Sequence, residues 1–228
     1  MIRAALAATL ALAVALPARA QIEIPVPGDE APAMPQPPAD LPEMPDLPET
    51  GDLVEEGLSP IEVPDEAEAR AAQLDSLFEQ LARAENPDWP VIQGQIWRVW
   101  RRSGSPSMDL LLARGLEAME AEDFDTALLH LDDLVRLAPD FAEGWNQRAT
   151  LHFLMQNYGL AMRDIETTLI LEPRHFGALA GLGIILDRTG YDKGALAAYR
   201  RVLELHPNMP GAQRGVEKLS PDVDGREL

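Results

Sequence analysis

Four histidines (His130, His152, His175 and His206) and two acidic groups (Asp132-Asp133 and Glu120-Ala121-Glu122-Asp123) offer ligands or proton-transfer groups. Zinc sites on helices need two histidines four residues apart with a glutamate between them, and no pair here has that spacing. The acidic groups fall on a helix face and in a turn. They lack the glycine and the alternating oxygen ligands of a calcium loop, so they read as solvated charge. The run GALAGLG (177–183) is rich enough in glycine for a phosphate loop, but it follows no strand and no Lys-Ser/Thr pair closes it. No nucleophile stands beside a base, and the chain has no cysteine. The expectation is a protein without catalytic residues, metal or cofactor, so what matters is the surface its elements build.

The N-terminus sets the compartment. Arg3 gives a positive start, Ala4 to Leu16 an apolar run and Pro17 a break, and Ala18-Arg19-Ala20 reads as a cleavage site. Residues 1–20 therefore read as a secretory signal peptide whose apolar run is too short to span a bilayer comfortably. Gln21, not cysteine, follows the site, which excludes a lipid anchor there. The formal charge is −19, with 38 acidic and 19 basic residues. Removal of Arg3 and Arg19 takes it to −21, and so acidic a protein does not bind nucleic acid, whose phosphates need cations. The preference for arginine over lysine and the abundant alanine suggest a GC-rich bacterial genome, and with the signal peptide a periplasmic product.

Residues 21–64 hold eleven prolines, many carboxylates, no Lys or Arg and no aromatic residue. Such a segment buries too little apolar surface to offset its ordering entropy, so it is expected to be a disordered, extended linker. Within it LPEMPDLPE repeats every three residues. In a polyproline II helix this would stack Leu41, Met44 and Leu47 on one edge and Glu43, Asp46 and Glu49 on another. A stiff spacer, a docking motif and a segment folding back on the Arg98–Arg102 cluster all fit that pattern.

From residue 65 the pattern is helical. Leu74, Leu77, Phe78 and Leu81 form one apolar stripe, Asn86-Pro87 breaks it, and a second helix over roughly 90–102 carries Ile92, Ile96, Trp97 and Trp100. Residues 65–104 thus read as a hairpin with tryptophans packed inward and Arg98, Arg101 and Arg102 at its end, where cations complement the helix dipole.

Beyond Ser105 the chain repeats itself every 34 residues. Pro139, Pro173 and Pro207 keep that interval, as do Ala127, Ala161 and Ala195, and the small residues Gly115, Ala149 and Gly183. The small residue and the alanine let two helices approach closely, and the proline ends one unit because it cannot continue the hydrogen-bond ladder. On these residues, with Trp145, Tyr158 and Ile165 in the second unit, the chain resembles the tetratricopeptide repeat (TPR) family over about residues 108–209. Leu111 and Leu179 depart from the family's tryptophan-like residue, and Arg114 and Arg148 stand where it is usually apolar.

The resemblance implies an all-α solenoid of helical hairpins: repeat 1 over 105–140, repeat 2 over 141–174 and repeat 3 over 175–208. Terminal units of such stacks need caps. The 65–104 hairpin is expected to supply one as a degenerate first unit. A short polar helix over 209–219 is expected to supply the other, before a tail over 220–228. It also implies a concave groove lined by the first helix of each unit. By register these residues are Asp109, Leu112, Leu116 and Met119; Glu143, Asn146, Thr150 and Phe153; and Gly177, Ala180, Ile184 and Asp187. Arg148 joins them if its guanidinium faces a ligand; otherwise it lies across the hairpin and pairs with acids. Arg114, and Arg174 and His175 at a repeat junction, have the same two readings. The expected function is a non-catalytic scaffold or adaptor in the envelope, binding a partner protein's helix or peptide with apolar side chains flanked by cations. A holdase or carrier for apolar cargo is the alternative.

Overall fold

The computed structural model describes residues 62–64 and 66–225. Among them are nine helices and no strand. These are α1 (Ala67–Leu81), α2 (Trp89–Trp100), α3 (Pro106–Glu120), α4 (Phe124–Leu137), α5 (Ala142–Leu154), α6 (Tyr158–Leu171), α7 (Phe176–Arg188), α8 (Asp192–Leu205) and α9 (Pro210–Asp224). The signal peptide and most of the 21–64 linker, LPEMPDLPE included, lie outside the described residues. Its last three residues do not: Val63 packs on the core, and Arg70 and Gln73 of α1 donate to the carbonyls of Pro64 and Glu62 at 3.2 and 3.1 Å.

Helices α3–α4, α5–α6 and α7–α8 form three antiparallel hairpins, and each packs on the next. The turn inside each hairpin is the same device. Glu122, Gln156 and Gly190, 34 residues apart, have φ of 57°, 63° and 78°. Each following N–H reaches back to a carbonyl in the last turn of the first helix: Asp123 to Ala118 (2.9 Å), Asn157 to His152 (2.8 Å) and Tyr191 to Leu186 (2.8 Å). This is a Schellman stop, which closes orphan carbonyls with one left-handed residue. Asp123 then caps α4 by accepting from the Thr126 N–H (3.2 Å), and these bonds hold its carboxyl below the usual carboxylate range.

The periodic small residues act as contact points. Ala127, Ala161 and Ala195 are fully buried. At Gly183 a Cβ would lie 2.6 Å from the Tyr199 ring, so only glycine lets α7 and α8 close to this distance.

Two expectations about the ends are corrected. The polar closing helix does not stop at 219. α9 runs through Pro221 to Asp224, because Ala212, Gly215, Leu219 and Val223 keep one face buried on the stack. The hairpin α1–α2 is present but does not cap repeat 1. Its apolar residues belong to the core of α5–α9, whereas α3, α4 and Leu151 make a separate core. The outer face of α3 is therefore uncovered. Leu110, Arg114 and Glu117 are exposed there, whereas Ala178, Leu182 and Ile185, at the same register in α7, are buried by the preceding repeat. A sequence stripe shows that a helix face is buried, not what covers it.

Candidate functional site

The hairpin lies across the concave side, at the N-terminal ends of the first helices. Asp109, Glu143 and Gly177 are equivalent groove residues of the three repeats, and each is engaged by α2 or the link that follows it. Asp109 accepts from the backbone and hydroxyl of Ser103 (2.8 and 2.6 Å) and faces Arg102 at 3.7 Å. The hydroxyl of Ser103, not that of the N-cap Ser105, thus organises the start of α3. Glu143 faces Arg101 at 3.9 Å. Gly177 receives Trp97: a Cβ at this position would lie 2.6 Å from the indole Cη2. Glycine is required because the ring occupies the space of its side chain.

Around these contacts is a buried network. Glu143 accepts from Gln147 (2.6 Å), Asn146 (3.2 Å) and His175 Nε2 (3.1 Å). His175 Nδ1 accepts the Ala178 N–H at 3.1 Å, capping α7, so the ring carries its proton on Nε2. Trp100 stacks flat on this imidazole, and Trp97 meets both the imidazole and the Phe176 ring edge-on. A carboxylate and an imidazole in contact are the residue types of proton transfer. Both side chains, however, have no exposed surface, so no substrate reaches them. Arg174, at the same junction, binds Asp75 of α1 (2.6 Å) and lies over the Phe78 ring. At the far end His206 bonds Gln93 of α2 at 2.7 Å under Trp89, and burial pushes its imidazole down to about 4.

Beyond Trp97 the groove remains hollow. Asn146, Thr150 and Phe153 of α5 face Gly177, Ala180 and Ile184 of α7, with Ile165 and Met209 completing the wall. About 510 Å³ between them is unfilled, its open mouth included. Six of the groove positions expected from register are thus brought together.

The others fall elsewhere. Leu112 is buried in the core of repeat 1, and Leu116 and Met119 are partly buried against that core on α3, outside the hollow's lining. Asp187 is held by Lys218 of α9 at 2.8 Å. Arg148 does not line the hollow. It grips Asp164 of α6 through two bonds of 2.8 Å and Asp132 of α4 through a third, tying repeats 1 and 2 together. Those carboxylates keep its guanidinium charged, with a pKa above its ordinary value despite partial burial. Arg114 is exposed on the uncovered face of α3.

No family model matches the sequence. A TPR repeat-containing protein of Rhizobium etli is 43% identical over 154 residues, which are 67% of this chain and 76% of that protein. The chain belongs to the tetratricopeptide repeat family. A match of this length in a chain of 228 residues takes in α2, α3 and α4 wherever it begins. The small glutamine-rich tetratricopeptide repeat-containing protein 2 of Saccharomyces cerevisiae is 27% identical over 95 residues, 42% of this chain and 28% of that protein. Among solved structures, the Sgt2 TPR domain from Aspergillus fumigatus superposes with a TM-score of 0.49 at 22% identity, over 54% of this chain and 83% of that one.

Among the described residues no group of three or more His, Cys, Asp or Glu is placed to hold a metal, and no helix is long and apolar enough to cross a membrane. What sequence reasoning missed in this TPR protein is the occupant of the groove. A weak signal existed: two tryptophans three apart in an arginine-ended helix, and a repeat whose groove positions begin with glycine. Nothing in the spacing linked residue 97 to residue 177.

Proposed function

We propose that the chain is a non-catalytic adaptor that seats a segment of a partner protein in the hollow between α5 and α7, and that it works in the bacterial envelope after export. The observation that carries this is the hollow itself: an apolar depression formed jointly by two repeats and left open after the chain's own hairpin has filled the adjacent part of the groove. A surface of this kind gains free energy only when an apolar side chain covers it. Its size fits one or two side chains rather than a whole domain. Export rests on the 1–20 reading alone.

The test is site-specific photocrosslinking in cells. A crosslinker at Ile184, in the hollow, should trap one saturable partner, while one at the outward-facing Leu129 should not. Phe153→Ala should weaken the Ile184 product. Equal yield from both positions would refute the adaptor. A broad smear of products, together with suppression of aggregation of unrelated proteins, would instead support the carrier reading.

A further inference from the structure

We infer that the element this groove accepts is an amphipathic α-helix bearing Lys or Arg beside its apolar face, lying alongside α2, and not an extended peptide. The inference rests on the adaptor reading and specifies the partner's conformation.

Three observations carry it. The first is hydrogen-bond supply. An extended segment brings an unpaired N–H and C=O at each residue, and these must find partners when water is excluded. The hollow offers few polar side chains, only Asn146 and Thr150 within its lining, and these and their neighbours already make hydrogen bonds inside the protein. Asn146 donates to Glu143 (3.2 Å), the Thr150 hydroxyl donates to the Asn146 carbonyl (3.0 Å), Asp187 holds Lys218 (2.8 Å), and Arg188 reaches the Tyr158 hydroxyl (3.1 Å). Asp109 and Glu143, the acids at the groove's first positions, are held by Ser103 and by His175. A helix satisfies its own backbone and needs none of these groups.

The second is that the groove already accepts a helix. α2 crosses the N-terminal ends of α5 and α7, with Trp97 on Gly177 and, four residues on and on the same face, Arg101 toward Glu143. The hollow begins at the same Gly177, so an incoming helix would continue a surface that already holds one.

The third is charge. The chain carries −19, and Glu120, Glu122 and Asp123, at the end of α3 and the turn after it, are exposed. Cations flanking the apolar face of the incoming helix meet this field favourably, and carboxylates there are repelled.

The probes are three synthetic peptides added to the full-length protein at physiological salt. One is a leucine/lysine peptide with helical periodicity, one has the same composition in strict alternation, and one is the helical peptide with glutamate in place of lysine. Methyl NMR reads the site through Ile184, Ala180 and Met209, which line the hollow, with the exposed Ile170 and Leu129 on the second helices as controls. The helical Leu/Lys peptide should shift the groove methyls and bind at least about tenfold more tightly than either other peptide. Ile184→Glu should abolish those shifts while leaving the fold's spectrum intact. Groove binding by the alternating peptide at equal affinity overturns the inference but leaves the adaptor standing. Shifts confined to Ile170 and Leu129, or no shifts with any peptide, overturn both.

Discussion

The indole of Trp100 lies on the imidazole of His175 with 4.1 Å between ring centroids and 11° between planes. Residues 75 positions apart in the chain meet face to face, and through them α2 is fixed to the junction of repeats 2 and 3. The groove of this TPR protein is therefore shaped by what its N-terminal hairpin leaves open.

Gly177 should tolerate no side chain. Gly177→Leu places atoms where the Trp97 indole sits and should lift α2 from the groove, at a cost of about 1–3 kcal/mol or more for overpacking. The check is a urea midpoint together with Trp97 fluorescence. An unchanged midpoint and emission maximum would show that Trp97 is not seated there.

Acid should loosen the hairpin. The His206 imidazole titrates at about 4 in the fold and near 6.5 when unfolded, so the unfolded chain takes up the proton first. The stability linked to this group is fully present above pH 6.5 and is lost as pH falls toward 4, up to about 3 kcal/mol. His152, pushed down mainly by burial, acts in the same direction. Denaturation midpoints at pH 7.5 and pH 4.5 should differ accordingly, and His206→Gln should flatten the dependence.

Arg148 should matter for stability and not for binding. Arg148→Ala leaves the Asp164 carboxylate, 6% exposed, without its cation. Removing one partner of a buried pair costs about 3–5 kcal/mol, and partial exposure of Arg148 puts the loss at or below the lower end. Arg148→Ala/Asp164→Asn should recover part of it. Retained folding with lost partner crosslinking would instead assign the guanidinium to the ligand.

Gln156→Gly should stabilise the protein. Gln156 is held at φ 63°, where a side chain crowds the backbone, and glycine stands at the equivalent position 190. The gain should be about 0.5–1 kcal/mol, read as a rise in Tm, and a fall would mean that the Gln156 side chain makes a contact worth more than the strain.

The repeats were legible in the sequence because their signals are local: Pro139, Pro173 and Pro207 end helices, and Ala127, Ala161 and Ala195 mark helix contacts wherever the units sit. The six groove residues around the hollow follow from register once the units stack. The extension of α9 was hidden by Pro221, which reads as a stop, although the buried face carried by Leu219 and Val223 continues past it. The hairpin's destination was not legible. Leu74, Leu77, Phe78 and Leu81 state that a face is covered, and several surfaces of the stack would satisfy it equally on periodicity alone. The choice is made by a shape match, Trp97 to Gly177, between residues 80 positions apart.

That destination alters how the molecule is born. A simple stack of hairpins zips up from whichever end emerges first, each unit needing only its neighbour. Here Gln93 waits for His206, 113 residues downstream. At ~5–20 residues per second of synthesis the delay is roughly 6 to 23 s. Throughout it the tryptophan face of the earliest helices is unclothed and adhesive, so a nascent copy depends on chaperone escort more than a linear array of the same length would.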